Sequence, residues 1–194
     1  RILERHADGS GWVEDLLHDA LEQSLLDARD RALVHELVCG VVRWQATLDW
    51  LIERKTGGRK QKPGIERLLR LGLYQLFWLD RIPDHAAVNE TVNLARCHGL
   101  GAEAGFVNAV LRGYGRERDA TRRQLEELKR THPATGWSHP AWLIDRWQHR
   151  WGPDTTPRLL AWNNTPAPAF ARLNTIKADP GRLLERWREE GVEY

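Results

Sequence analysis

The chain has 194 residues, two cysteines, no methionine and a formal net charge of +2. This length suits one domain or two small ones, and two cysteines without a Cys-x-x-Cys pair exclude a disulfide scaffold. No apolar run approaches the ~20 residues of a membrane span, and no signal segment opens the chain. We therefore expect a cytoplasmic location and no membrane partner. Because residue 1 is Arg and Met is absent, we also expect a fragment or a processed product.

The charges are distributed unevenly along the chain. Residues 1–30 contain eight acidic residues against three arginines, whereas residues 54–70 contain seven basic residues and only one acidic residue, Glu66. Residues 112–130 add seven basic and four acidic residues. Such asymmetry is typical of a surface that binds a polyanion. A solvated loop followed by a charged surface helix would give the same pattern.

The first predicted elements are helices over residues 12–27 and 29–53, in which apolar residues recur at three- and four-residue spacing. Ser10 is the expected N-cap of the first helix. Gly40 lies within the second, where glycine costs about 1 kcal/mol relative to alanine, so we expect close helix–helix approach there. The expected inner stripe of the second helix comprises Ala32, Leu33, Glu36, Leu37, Gly40, Val41, Trp44, Leu48 and Leu51.

A basic, glycine-containing loop over residues 56–63 is predicted to be a flexible connection. The helix that follows, at roughly 65–80, is apolar on nearly every face over Leu68–Leu79. Such a helix is typical of the centre of a bundle rather than of its surface. Two further helices, at 84–97 and 103–115, complete the predicted bundle.

Two polar features of these last helices have a structural interpretation. The glycines of Gly99-Leu-Gly101-Ala-Glu-Ala-Gly105 follow a helical segment, whereas a nucleotide-binding loop follows a strand, so an inter-helix turn is predicted. Asn89, Glu90 and Asn108 stand in apolar surroundings. We interpret them as buried groups that hold helix ends and turns together, and favour this over direct contact with a ligand.

The second half of the chain begins with a charged helix near 119–131, which ends at His132-Pro133. Ser138-His139-Pro140 is expected to cap another helix. On that helix Trp147 and Trp151 are four residues apart and share a face, and we interpret them as a packing pair. A further helix is predicted near 154–163.

The periodicity then changes. Alternating residues over 168–176 predict a strand, Asp179-Pro180 begins an amphipathic helix, and Val192 is the expected start of a second strand. This is the front half of a β-α-β unit. One strand and one helix do not close a sheet, so we expect this piece to need support from the rest of the protein.

Several stretches carry a family pattern. They are ALVHELVCGVVRWQATLDWLI, LLRLGLYQLFWLDRIPDHAAVNETVNLA and GFVNAVLR within residues 28–114, and later SHPAWLIDRW and NNTPAPAFARLNTIK. The first three resemble the NusB fold in the form found at the front of bacterial RsmB/Sun-type rRNA cytosine-C5 methyltransferases. The last two resemble the segment joining that domain to the methyltransferase module, and a stand-alone NusB-like factor would not account for them.

The resemblance implies a mainly α fold with three parts. Residues 1–120 would form a NusB-like helical RNA-binding domain, 121–164 a helical connector, and 165–194 the truncated start of a small α/β subdomain. The family's Rossmann-like catalytic domain, which binds S-adenosylmethionine, would be missing. The expected partners are 16S rRNA and that missing methyltransferase domain, while the oligomeric state and the target nucleotide stay open.

The same resemblance implies that this chain has no catalytic residues and no cofactor of its own. Methylation of cytosine C5 needs a cysteine thiolate that attacks C6, and one of the family's two important cysteines follows a proline. Cys39 and Cys97 follow Val and Arg, and we interpret them as small buried thiols on bundle helices. Cys97 and His98 are adjacent but lack further ligands nearby, so no metal site is predicted.

The RNA-binding candidates are basic residues in and around the 56–63 loop, where Arg and Lys can contact phosphates without reading sequence. Two alternative functions are a stand-alone NusB-like transcription antitermination factor and a protein–protein docking bundle. One candidate, Arg43, would also favour the dipole at the end of its helix. The candidates are Arg43, Arg54, Lys55, Arg59, Lys60, Lys62, Arg67, Arg112 and Arg116.

Overall fold

The structure is a computed structural model that describes residues 1–166, 170 and 172–192. The described part is α-helical, which confirms the predicted mainly α class. Among these residues no helix is both long and apolar enough to cross a bilayer. The helices are α1 (Ile2–Ala7), α2 (Val13–Glu22), α3 (Ala28–Arg43), α4 (Gln45–Thr56), α5 (Pro63–Trp78), α6 (Asp84–Cys97), α7 (Ala104–Arg116), α8 (Arg118–Thr131), α9 (Pro133–Gly136), α10 (Ala141–Trp151), α11 (Thr156–Asn163) and α12 (Pro180–Glu189), with a 3-10 turn at Gly101–Glu103.

Helix α5 is the centre of the bundle, as its composition predicts. Pro63 opens it at N1, where a missing N–H costs nothing. Its two polar interruptions are accommodated at the edges of the core: the Arg70 Nε atom lies 2.6 Å from Asp49 Oδ1, and Gln75 Nε2 donates to the Leu71 carbonyl at 3.0 Å. The buried residues of α5 are Ile65, Leu68, Leu69, Gly72, Leu73, Tyr74, Gln75, Leu76 and Phe77.

Gly40 provides the predicted close approach between α3 and α5. A Cβ atom at Gly40 would lie 2.0 Å from Cζ of Tyr74, far inside van der Waals contact. The Tyr74 hydroxyl in turn donates to Glu36 Oε1 at 2.5 Å, and burial raises the pKa of Tyr74. The glycine therefore makes room for a buried tyrosine.

The first part of the chain departs from prediction in four places. Helix α1 was not predicted, and Ser10 does not cap α2, whose N-cap is Trp12 without a side-chain hydrogen bond. The expected single helix over 29–53 is two helices divided at Trp44, where φ is −100° and ψ is 17°. The Trp44 ring lies 5.0 Å from that of Trp78, so tertiary packing, rather than a helix-breaking residue, accompanies this division. Leu33, expected on the inner stripe, is 41% exposed.

Helices α8 to α11 pack with the bundle in one compact unit, Arg1–Asn164. The Lys129 ammonium lies 4.8 Å from the ring centroid of Trp137, and Asn164 Nδ2 donates to the Trp137 carbonyl at 2.9 Å. Trp147 and Trp151 on α10 pack with ring centroids 6.3 Å apart, which confirms their predicted pairing. The proposed cap of α10 is wrong, because Ser138 makes no side-chain cap bond to that helix and bonds Ala46 instead.

The second unit, Thr165–Tyr194, contains α12. Asp179 caps this helix by accepting from the Arg182 N–H at 2.9 Å, and Pro180 opens it, as the sequence predicts. The predicted strand over 168–176 falls partly on residues 168, 169 and 171, which lie outside the described residues. Residues 172–176 are coil and turn, and Val192 is coil, so the β-α-β start is not confirmed.

Candidate nucleic-acid interface

Helices α6 and α7 present two polar ridges that face each other across a groove. His85, Asn89 and Asn93 are spaced four apart on α6, and Asn108, Arg112 and Arg116 are spaced four apart on α7. Residues at this spacing lie on one face of a helix. The opposite faces of both helices are apolar and buried in the core, which fixes the ridges toward solvent. The buried residues are Ala87, Val88, Thr91, Val92 and Ala95 of α6, and Ala104, Val107, Val110, Leu111, Gly113 and Tyr114 of α7.

Two open cavities along the groove show that the helices run antiparallel. The start of α6 meets the end of α7 in a cavity of about 390 Å³, and the end of α6 meets the start of α7 in one of about 490 Å³. Asn89 and Arg112 line both cavities, so the groove is continuous. The first is lined by Asp84, His85, Val88, Asn89, Arg112, Gly115 and Arg116, and the second by Asn89, Glu90, Val92, Asn93, Arg96, Ala104, Gly105, Asn108 and Arg112.

Some polar groups of this groove bond to one another and others have no partner within the described protein; Arg96, for example, donates to Asn93 Oδ1 at 3.5 Å. Arg112 Nε donates to Asn108 Oδ1 at 3.0 Å, which orients the guanidinium along α7. Within the described part of the chain, the side chains of Asn89 and Glu90 make no hydrogen bond or ion pair, and both are exposed. The expectation that Asn89 and Glu90 are buried and hold helix ends together is therefore wrong, and Asn108 is half-buried and bonded, among the described residues, only to Arg112 one turn along α7. Their apolar sequence neighbours face the core while they face the groove.

The loop between α4 and α5 spans residues 57–62 and keeps two of its basic side chains exposed. Arg59 and Lys60 have no carboxylate partner among the described residues. Lys62, in contrast, donates to Glu103 beside α7. That hydrogen bond lowers the pKa of Glu103.

Three other predicted RNA contacts are engaged within the protein. Lys55 Nζ lies 2.8 Å from Glu117 Oε2, and this hydrogen bond lowers the pKa of Glu117. Arg67 pairs with Glu4 of α1 at 3.0 Å. The Arg54 guanidinium lies 4.8 Å from the centroid of the Trp50 ring. These contacts leave less of each cation available to a phosphate.

The predicted RNA-binding cations therefore do not form one cluster in the structure. Arg112 and Arg116 share the α6–α7 groove, and Arg59 and Lys60 share the loop. Arg43 is the half-buried last residue of α3, where it favours the helix dipole.

The second basic stretch of the sequence is mostly neutralised. Arg122 pairs with Asp80 at 2.7 Å, Lys129 pairs with Glu126 at 2.6 Å, and Arg118 and Arg130 also have carboxylate partners. Among the described residues, this leaves Arg112, Arg116 and Arg123 of that stretch without an acidic partner. A count of charges in the sequence therefore overestimates how many cations of this region are available to bind RNA.

The groove residues Asn93, Arg96 and His85 were missed by sequence reasoning. The signal for His85 and Asn93 is the four-residue spacing of polar side chains that they share with Asn89, and Arg96 follows Asn93 by three residues. That spacing is visible over 85–93 and again over 108–116, and it indicates two solvent-facing stripes rather than isolated buried polar groups.

The cysteines also differ from expectation. Cys97 is exposed and Cys39 is half-buried, so neither is a fully buried thiol. Burial raises the pKa of Cys39, whose Sγ atom lies 3.8 Å from His35 Nε2. A raised pKa disfavours the thiolate needed for nucleophilic attack. The described residues contain no cluster of three His, Cys, Asp or Glu side chains placed to hold a metal.

The glycines at 99–105 form the predicted inter-helix turn. Gly99, with φ of 74°, follows α6, and Gly101 begins the 3-10 turn that leads into α7. Because a helix rather than a strand precedes them, these residues do not fit an S-adenosylmethionine loop.

The fold and the groove define an all-α bundle with a polar, cation-bearing face. Residues 3–116 match the NusB family, and the chain belongs to that family. Residues 139–194 match the RsmF/B-like methyltransferase ferredoxin-like domain. This second match covers the segment after the bundle.

Curated relatives are similar over most of the chain. The probable ribosomal RNA small subunit methyltransferase B of Bacillus subtilis (strain 168) is 35% identical over 92% of this chain and 40% of that protein. The probable enzyme of the same name from Synechocystis sp. (strain PCC 6803) is 39% identical over 86% of this chain and 37% of its own length. The ribosomal RNA small subunit methyltransferase B of Vibrio vulnificus (strain YJ016) is 32% identical over 99% of this chain and 44% of its own length. The chain spans about 40% of the length of these relatives.

Proposed function

We propose that this chain is the RNA-binding N-terminal part of a small-subunit rRNA methyltransferase, and that it positions 16S rRNA for a catalytic domain outside this chain. The observation that carries the proposal is the α6–α7 groove, where Arg96, Arg112 and Arg116 stand without carboxylate partners among the described residues. Unpaired cations beside hydrogen-bonding amides suit an RNA backbone. Arg59 and Lys60 supply a second contact from the loop.

The proposal extends to the whole protein. We infer that it methylates C5 of a cytosine with S-adenosylmethionine in the cytoplasm. The cysteines of this chain are poor candidates for the nucleophile, because Cys39 has a raised pKa and Cys97 ends an outer helix. The proposed division is an RNA-binding domain over 1–120, a connector over 121–164 and the start of an α/β subdomain over 165–194.

The two alternatives are less well supported. A stand-alone antitermination factor would not account for the match of residues 139–194 to a ferredoxin-like methyltransferase domain. A protein–protein docking bundle would not need unpaired guanidinium groups along a polar groove. Binding to a protein through an apolar face would also be insensitive to salt, whereas phosphate contacts weaken as salt rises.

The test compares variants that lose the same charge. Arg112→Gln/Arg116→Gln removes two groove cations, and Arg130→Gln/Arg186→Gln removes two cations from exposed helix pairs with Glu127 and Glu190. Fluorescence anisotropy with a structured fragment of 16S rRNA is expected to show a loss of roughly tenfold or more for the groove variant. The control variant is expected to bind within about twofold of wild type. Equal losses in both would contradict a localised RNA surface.

A further inference from the structure

We propose that the α6–α7 groove is a pocket for a single unstacked RNA base that carries an exocyclic amino group, with guanine the best fit. The inference rests on the proposed RNA-binding function. It adds that this surface distinguishes one base from another, whereas contacts between cations and phosphates do not depend on the RNA sequence. Its first support is the composition of the groove lining. Asn89, Asn93 and Asn108 are amides that both donate and accept, and they alternate with Arg96 and Arg112, which only donate.

The presence of Glu90 indicates that this cavity does not bind phosphate alone. Its carboxylate lines the same cavity as Arg96 and Arg112, yet it makes no ion pair with either of them. A carboxylate repels phosphate and only accepts hydrogen bonds. It therefore calls for a ligand with N–H donors. Cytosine, adenine and guanine carry an exocyclic amino group that can donate to a carboxylate, whereas uracil offers only its single N3–H.

Guanine offers hydrogen-bonding partners for both the acidic and the basic side chains of the cavity lining. Its Watson–Crick edge offers the N1–H and N2–H₂ donors side by side for a carboxylate, and its O6 and N7 atoms accept from an arginine or an asparagine. Glu90 and Arg112 are the protein groups of those two kinds in the cavity. Because the Arg112 Nε is already bonded to Asn108, its terminal nitrogens are held in position for a base edge.

The dimensions and the ends of the groove suit one base with its backbone. The cavity that contains Glu90 has a volume of about 490 Å³, within the range of small-ligand sites. The adjoining cavity brings His85 and Arg116 to the other end of the groove. An imidazole ring can stack on a base, and an arginine can contact the neighbouring phosphate. Gly105 also lines the cavity that contains Glu90, and a Cβ atom there would meet nothing within 4 Å.

The experiment uses heptamers of uridine in which the central position is U, C, A or G, with the 194-residue chain and fluorescence anisotropy at fixed salt. Wild type is expected to bind the G-containing RNA about tenfold more tightly than the all-U RNA. Glu90→Gln is expected to reduce this preference to about twofold or less, while all-U binding tightens slightly because a carboxylate that repels phosphate is removed. Glu90 is exposed and unpaired within the described chain, so this variant keeps the fold, which a melting curve verifies.

The control is Arg59→Gln/Lys60→Gln in the loop. It is expected to weaken all four RNAs equally and to preserve the preference for G. Equal affinity of wild type for all four RNAs, or an undiminished preference in Glu90→Gln, would overturn the base pocket while leaving the proposed RNA-binding function standing. Absence of any salt-dependent RNA binding would overturn both. Binding of a polyglutamate peptide that Arg112→Gln abolishes, without base preference, would assign the groove to a protein partner instead.

Discussion

Ser138 Oγ accepts a hydrogen bond from the backbone N–H of Ala46 at 3.0 Å, although 92 residues separate them in sequence. Ala46 is in the first turn of α4, where N–H groups have no partner within the helix. One residue further, the Thr47 hydroxyl donates to the Thr135 carbonyl at 2.6 Å. The turn after α9 thus caps the start of α4 and joins the last helices of the first unit to the bundle.

Replacing Ser138 by alanine is expected to lower the free energy of unfolding by about 1 kcal/mol, because the Ala46 N–H loses its cap. Urea denaturation followed by circular dichroism measures the change. Ser10→Ala is the matched control, since Ser10 caps no helix. It is expected to be neutral, and an equal effect of the two substitutions would disprove the capping role.

Gly40→Ala is expected to destabilise the bundle by about 1–3 kcal/mol, because the new methyl group would overlap the Tyr74 ring. The control is Gly105→Ala on α7, where a Cβ atom would meet nothing within 4 Å. There alanine is expected to stabilise by up to about 1 kcal/mol through helix propensity. Thermal melts of both variants give the comparison, and a stabilising Gly40→Ala would contradict the close packing of α3 on α5.

Tyr114 predicts a loss of stability at high pH. It is fully buried, its hydroxyl donates to the Leu51 carbonyl at 2.6 Å, and burial raises its pKa to about 12, from about 10 in an unfolded chain. The folded state therefore holds the phenolic proton more tightly. Its contribution to stability is complete below about pH 10 and is lost as pH rises toward 12, by up to about 1.4 kcal/mol per pH unit.

The test compares the urea midpoints of wild type and Tyr114→Phe at pH 9, 10 and 11. The stability advantage of wild type over the variant is expected to shrink as pH rises, because only wild type has this proton to lose. A difference that stays constant or grows over this range would show that Tyr114 does not titrate with the raised pKa.

Two neighbouring lysines of the loop are expected to differ in RNA binding. Lys60 has no carboxylate partner among the described residues, whereas the Lys62 ammonium is bonded to Glu103. Lys60→Gln is therefore expected to weaken RNA binding more than Lys62→Gln. Lys60→Gln should also make the plot of log association constant against log salt concentration less steep, by the amount that corresponds to about one phosphate contact. Equal losses would indicate that the Lys62–Glu103 pair opens when RNA binds.

Hydrophobic periodicity was sufficient to predict the helices that form the core. The apolar segment Leu68–Leu79 indicates a central helix, and α5 is buried along nearly all its length. The division at Trp44 was not predictable, because it accompanies contacts with Trp78 and Ser138 that are distant in sequence. Local propensity carries no information about such partners.

The candidate site was harder to predict than the fold. Basic residues are visible in the sequence, but their ion pairs are not: Lys62 finds Glu103 and Arg67 finds Glu4 only after folding. Asn89 and Glu90 were assigned to the core because their sequence neighbours are apolar, yet a helix turns those neighbours to the opposite face. Helical spacing was the better guide.

The most direct test of RNA binding is a salt titration of the wild-type chain with a structured 16S rRNA fragment, from 50 to 300 mM salt. If the groove and loop cations contact phosphates, the logarithm of the association constant is expected to fall linearly with the logarithm of salt concentration. The slope should be about −0.7 to −0.9 per contact, or roughly −4 for the five cations Arg59, Lys60, Arg96, Arg112 and Arg116. Absence of binding at low salt, or an affinity that does not change with salt, would contradict the proposed function.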